Sequence, residues 1–192
     1  MSKVLMIASG PSVNQVHDYD WINQDWTIVA INNAWKATDQ WHYWISTDDF
    51  KGERPTPRAD QIIPKPYAPQ LEIFGGQAAC GYSVTLNASY WALACLNPSV
   101  IGFLGADMNY TPDSQGATHF YGVGYDIRYN PDGLPDPDKM VARYGNGDPN
   151  YLKKIYLRLA NQAIDYNGCQ VVNFSNDPQT RLPYPKAAPS DF

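Results

Sequence analysis

Five short apolar runs punctuate the chain, each ending in small or polar residues. Val4-Leu5-Met6-Ile7-Ala8 breaks at Ser9-Gly10-Pro11-Ser12, and Thr27-Ile28-Val29-Ala30-Ile31 closes at Asn32-Asn33. Tyr43-Trp44-Ile45-Ser46 ends at Thr47-Asp48-Asp49, Val100-Ile101-Gly102-Phe103-Leu104 at Gly105-Ala106-Asp107, and Gln170-Val171-Val172-Asn173-Phe174 comes last. Continuous apolar runs of this length, without polar alternation, predict strands buried on both faces. Gln61-Ile62-Ile63 is a further, shorter candidate strand.

Between the runs the pattern turns helical. Pro11 suits a first helical position, with Val13 and Val16 pointing inward. Val84, Ala88, Trp91 and Cys95 share one face of a second helix, which Pro98 ends. Leu152, Ile155, Tyr156, Leu159 and Ala163 form the stripe of a third, with Asp148-Pro149 as its cap at one end and Gly168 at the other. Residues 51–79 are rich in Pro and Gly and predict an irregular excursion; residues 105–147 lack a period and predict a lid-like loop. The tail from Pro183 to Phe192 reads as extended.

Strands separated by helices or long crossovers predict an α/β fold: a Rossmann-like, mainly parallel central sheet with helices on both faces. The 192 residues fit a single nucleotide-binding domain, 1–192, and 44% hydrophobic residues are enough to build its core. In such a sheet ligands bind outside the carboxyl ends of the strands. Ser9-Gly10-Pro11-Ser12, Asn32-Asn33, Thr47-Asp48-Asp49 and Gly105-Ala106-Asp107 are therefore expected on one edge.

Charge narrows the partners. A net charge of −5 opposes a broad nucleic-acid surface, although backbone N–H groups can still hold the phosphate of a single nucleotide. Cys80, Cys95 and Cys169 are widely spaced and odd in number, which predicts reduced thiols in a cytoplasmic protein. No apolar run reaches membrane length, and the first strand is too soon broken by Gly10-Pro11 to serve as a signal peptide.

Six groups of residues can carry chemistry. Gly10-Pro11-Ser12 at a helix start offers an anion site without the lysine of a Walker A loop, and an ordinary turn explains it equally well. Gly81 and Ser83 lead into the second helix, where Ser83 can cap. Asp107 can orient a ligand hydroxyl, bind a metal or fix the surrounding loop through hydrogen bonds. His119 is the histidine expected near the cleft and can act as a general base, whereas His17 and His42 read as structural. Tyr110, Tyr121 and Tyr125 can donate to phosphate oxygens, and Asp48 with Asp49 can hold Mg²⁺ or cap a turn.

Taken in order, a first strand ending in GPS, a second ending in Asn, a small-residue turn into an apolar helix and a strand ending in G-x-D-x-x-Y resemble the bacterial sialyltransferases of lipooligosaccharide synthesis. The same pattern is similar to the motility-associated glycosyltransferases and the 6-hydroxymethylpterin pyrophosphokinase-like proteins, and small relatives of this kind occur in phage genomes. The resemblance spans Val4 to about Phe174. It implies that Ser9, Gly10, Pro11 and Ser12 approach a donor nucleotide, that Asn32, beside Asn33, contacts it near the phosphate, and that Gly81 and Ser83 hold the nucleoside. It also implies that Asp107 and Tyr110 lie beside the phosphate, with His119 as base and Tyr110 or Tyr121 assisting the leaving group.

The implied activity is transfer from a nucleotide-activated sugar to an unknown acceptor, with no required cofactor. A pyrophosphokinase-like reaction would need ATP and Mg²⁺. Binding a nucleotide-derived metabolite without turnover, as a sensor or sequestering protein does, is the alternative from another class. Self-association stays open.

Overall fold

A computed structural model describes residues 2–47, 50, 52–64, 68–76, 83–109, 119–120, 148 and 150–192. Five strands form one sheet: β1 (Lys3–Ile7), β2 (Trp26–Ile31), β3 (Tyr43–Ile45), β4 (Val100–Leu104) and β5 (Gln170–Asn173). Their order is β3-β2-β1-β4-β5 and every pairing is parallel. The chain moves outward from β1 to β3, then crosses back to lay β4 on the opposite side of β1. That reversal places a topological switch point between β1 and β4, where the two carboxyl ends splay crossovers to opposite sides.

The apolar runs become strands because both of their faces are covered. Val4, Met6, Val29, Ile31, Ile101 and Phe103 enter one buried cluster, while Leu5, Ile7, Ile28, Ala30, Val100 and Leu104 enter the other. This strict alternation is the two-residue period of a strand. The first cluster is completed by α2 (Val84–Leu96) and α3 (Tyr151–Asn167), and Phe74 of α1 (Ala68–Phe74) packs on it. Two 3₁₀ helices, η1 (Pro11–Asp18) and η2 (Asn32–Lys36), supply Val13, Val16 and Ala34 to the second, beside Trp21, Trp26 and Trp44. Thus the α-helical residues of the core gather in one cluster and 3₁₀ turns with tryptophans fill the other.

Several local expectations change. The helix opening at Pro11 does carry Val13 and Val16 inward, but as a 3₁₀ helix. Instead of a single stripe, α2 buries every residue from Leu86 to Leu93, while Cys95 is exposed. Its middle turns are wedged between the sheet, α1 and α3, so Leu86–Leu93 leave no face for water. Ile62 forms an isolated parallel bridge to Tyr43 rather than a strand, and α1 lies inside the expected irregular excursion.

The third helix follows its stripe: Ile155, Tyr156, Leu159 and Ala163 are buried, and Gly168 ends it at φ 75°. Its N-cap position is Asn150, whose N–H donates to Asp148 Oδ1 at 2.9 Å. The tail is partly paired. Asn173 N–H donates to Pro185 C=O at 2.8 Å and Ala187 N–H to Asn173 C=O at 3.2 Å, so residues 185–187 cover the β5 edge before η3 (Pro189–Asp191).

Cys95 and Cys169 are free thiols, and burial pushes Cys169 up to about 12. Among the described residues no helix is long and apolar enough to cross a membrane.

Candidate functional site

At the switch point the β1 and β4 loops are laced together. Ala8 N–H donates to Leu104 C=O at 2.9 Å and Gly10 N–H to Gly105 C=O at 2.6 Å. The Ser12 hydroxyl accepts from Gly105 N–H at 2.7 Å and donates to Asp107 Oδ1 at 2.6 Å, while Ser12 N–H reaches Asp107 Oδ2 at 2.9 Å. Ser175, just beyond β5, donates its hydroxyl to Asp107 Oδ1 at 2.7 Å. The backbone carbonyl of Asp107 accepts from Arg181 N–H at 2.8 Å. One buried carboxylate therefore binds the segments that follow β1, β4 and β5.

This geometry gives Asp107 a structural part. Its side chain is 1% exposed and accepts three short hydrogen bonds from the protein itself, so it fixes the loop. It also alters the expected anion site. Gly10, Ser12 and Val13 N–H groups all have partners within the protein, and Pro11 has none to give. Phosphate capture by this loop thus cannot rest on those groups. Close approach of the two loops explains the glycines: a Cβ on Gly10 would stand 2.6 Å from Asp107 Oδ2, and Gly105 sits at φ 71° with the carbonyl oxygen of Ala8 where its Cβ would go.

The cleft beside this junction has about 110 Å³ between described walls, formed by Ala8, Ser9 and Gly10 on the β1 side and by Gly105, Ala106, Met108 and Asn109 on the β4 side. His119 and Tyr156 complete it. Phe120 N–H donates to Ser9 C=O at 3.1 Å, and the Phe120 ring packs on the second core cluster, which pins the neighbouring His119 over the glycine loop. Met108 holds φ 52°, an uncommon backbone state for a long side chain and one that clusters at functional positions.

Ser83 borders the cleft through Tyr156. It caps α2 by accepting from Leu86 N–H at 3.4 Å, and its hydroxyl lies 3.0 Å from the Tyr156 hydroxyl. Burial holds the Tyr156 hydroxyl above its ordinary pKa, with the Ser83 contact pulling the other way. That phenol stays a neutral hydrogen-bonding group at physiological pH.

Asn32 and Asn33 take no part in lining the cleft. Asn32, at φ 50°, accepts from Trp44 Nε1 through its carbonyl at 2.7 Å, and its buried Oδ1 has no partner. Asn33 is buried beside Gly52. Gly81, Tyr110 and Tyr121 lie outside the described residues, as do Asp48, Asp49, Cys80 and Tyr125. Among the described residues no group of three or more His, Cys, Asp or Glu side chains gathers that could hold a metal ion.

Three residues of the site were not singled out from sequence. Tyr156 is indistinguishable there from the core stripe of its helix, and Met108 shows its positive φ only in three dimensions. Ser175 did carry a signal, because it follows the last strand just as Ser9 follows the first. No protein-family model matches the chain, and no curated protein or solved structure matches it either.

Proposed function

We propose that the chain is a sialyltransferase-like transferase that binds a nucleotide-activated sugar at the switch point between β1 and β4 and passes the sugar to an acceptor hydroxyl. The observation that carries this reading is the convergence of Ser9-Gly10 and His119 on one cleft, at the place where parallel α/β sheets bind ligands. His119 takes the proton of the acceptor hydroxyl as the new glycosidic bond forms at the anomeric carbon. The old bond to the phosphate oxygen breaks, and its electron pair leaves with the nucleotide. Tyr110 or Tyr121, by the resemblance, donates to that phosphate as charge develops.

Asp107 enters this scheme as a positioning residue. It holds the glycine loop against the β4 loop and touches no substrate in it. Tyr156 lines the cleft from α3, and its hydroxyl meets that of Ser83, which caps α2.

The test incubates the protein with nucleotide sugars, free nucleotides and ATP, following both melting temperature and released nucleotide. A donor that stabilises the fold by mass action should also be consumed. His119→Ala should keep the stabilisation while losing about 100-fold or more in turnover. Full-rate turnover by His119→Ala removes the base assignment. A nucleotide ligand that raises the melting temperature and is recovered unchanged replaces transfer with sequestration or sensing.

A further inference from the structure

A much larger concavity, about 850 Å³, lies beside the β2–β3 half of the sheet and shares no residue with the switch-point cleft. Its walls come from the end of η1, the η2–β3 connection and residues 55–61. That volume falls in the range of small-molecule sites, about 300–1,000 Å³.

Aromatic groups form its apolar part. Trp41 is 4% exposed and set in the core, whereas Tyr19 and Trp35 are half-buried. The framework is rigid. Trp21 Nε1 donates to Val16 C=O at 2.8 Å and the Tyr19 ring packs on Trp21 with centroids 4.8 Å apart, which fixes the η1 wall. Buried Gln61 ties the other two walls together, donating to Asp39 C=O at 2.9 Å and accepting from Arg58 N–H at 3.0 Å.

Charge around the cavity is nearly balanced. Asp18, Asp20 and Asp39 face Lys36 and Arg58. Both cations already have carboxylate partners, Lys36 with Glu53 at 3.0 Å and Arg58 with Asp39 at 3.5 Å. A phosphate-bearing ligand would meet more carboxylate than unpaired cation here, so the electrostatics disfavour a nucleotide. What remains among the described residues is a rim of exposed hydrogen-bonding side chains, among them Asp18, Gln40 and Thr56, above aromatic surface.

We infer that this cavity binds a neutral saccharide. A sugar ring presents an apolar C–H face that suits the half-buried Tyr19 and Trp35, and hydroxyls that both donate and accept, matching the carboxylates and amide of the rim. Its lack of charge suits the balanced walls. This inference stands on the cavity alone and does not depend on transfer at the switch point.

The test titrates neutral mono-, di- and trisaccharides of glucose, galactose and N-acetylglucosamine into the protein, read by tryptophan fluorescence and calorimetry, with cytidine and adenosine nucleotides as charged controls. At least one saccharide should bind with a Kd in the micromolar to millimolar range. The Asp18→Ala/Gln40→Ala variant alters only exposed side chains and should weaken it about tenfold or more, while Lys153→Ala on α3 leaves it unchanged. Absence of binding by every saccharide at about 10 mM, or binding that survives the double variant, overturns the assignment.

Discussion

The two concavities use polar residues in opposite ways. At the switch point Ser12, Asp107 and Ser175 are buried and spend their hydrogen bonds on one another. Around the β2–β3 cavity Asp18, Asp20, Asp39 and Arg58 are exposed, and the Arg58–Asp39 ion pair lies in water. Buried polar groups must be satisfied internally, so they build the frame; exposed ones remain available to a ligand. Polar residues at strand ends are therefore not equivalent evidence of function. In the cleft, His119 and Tyr156 line the open space, whereas Ser12, Asp107 and Ser175 form the frame beside it.

The largest effect should come from cutting the frame. Asp107→Ala leaves Ser12 N–H and the Ser12 and Ser175 hydroxyls without their acceptor, and should cost about 3–5 kcal/mol in urea unfolding. If Asp107 acted only on substrate, the same substitution would abolish turnover at nearly unchanged stability, and the contrast between the two regions would fail. Gly105→Ala comes next. It forces a Cβ toward the Ala8 carbonyl at a positive φ and should cost about 2–3 kcal/mol by the same measurement.

A smaller effect belongs to the other half of the sheet. His42, half-buried before β3, accepts from Ile28 N–H through Nδ1 at 3.0 Å, and burial lowers its pKa below the ordinary 6.5. The neutral form is the one the fold uses. In the unfolded chain the imidazole takes up its proton more readily, so this contribution is complete above pH 6.5 and is lost as pH falls through 6.5 toward the folded value. Wild type should therefore lose more stability than His42→Gln on acidification from neutral pH, measured by unfolding at successive pH values. Equal losses would show that His42 contributes no proton-linked stability.

All five strands were legible because a run such as Val4–Ala8 or Val100–Leu104 buries both faces, and a continuous apolar stretch has few other ways to fold. Helix α1 was not legible. Its seven residues, Ala68–Phe74, carry an early proline and are too short to display a period, and Phe74 reaches the core only because α2 and α3 provide Tyr90 and Tyr166 to meet it. The stripe read for α2 failed for a related reason: a helix enclosed by neighbours has no polar face to betray its orientation.

By itself, then, the sequence determined the parallel α/β fold, the strand-end loops and the helix cap at Gly168, since each depends on residue type and local spacing. Tertiary structure alone decided which loops meet. It brought Ser9-Gly10 to Asn109, His119 and Tyr156, made Asp107 a brace between loops, and left Asn32 and Asn33 out of the cleft lining. Local preference sets what each segment becomes, but strand order sets its neighbours, and a buried carboxylate goes to whichever donors that order places beside it.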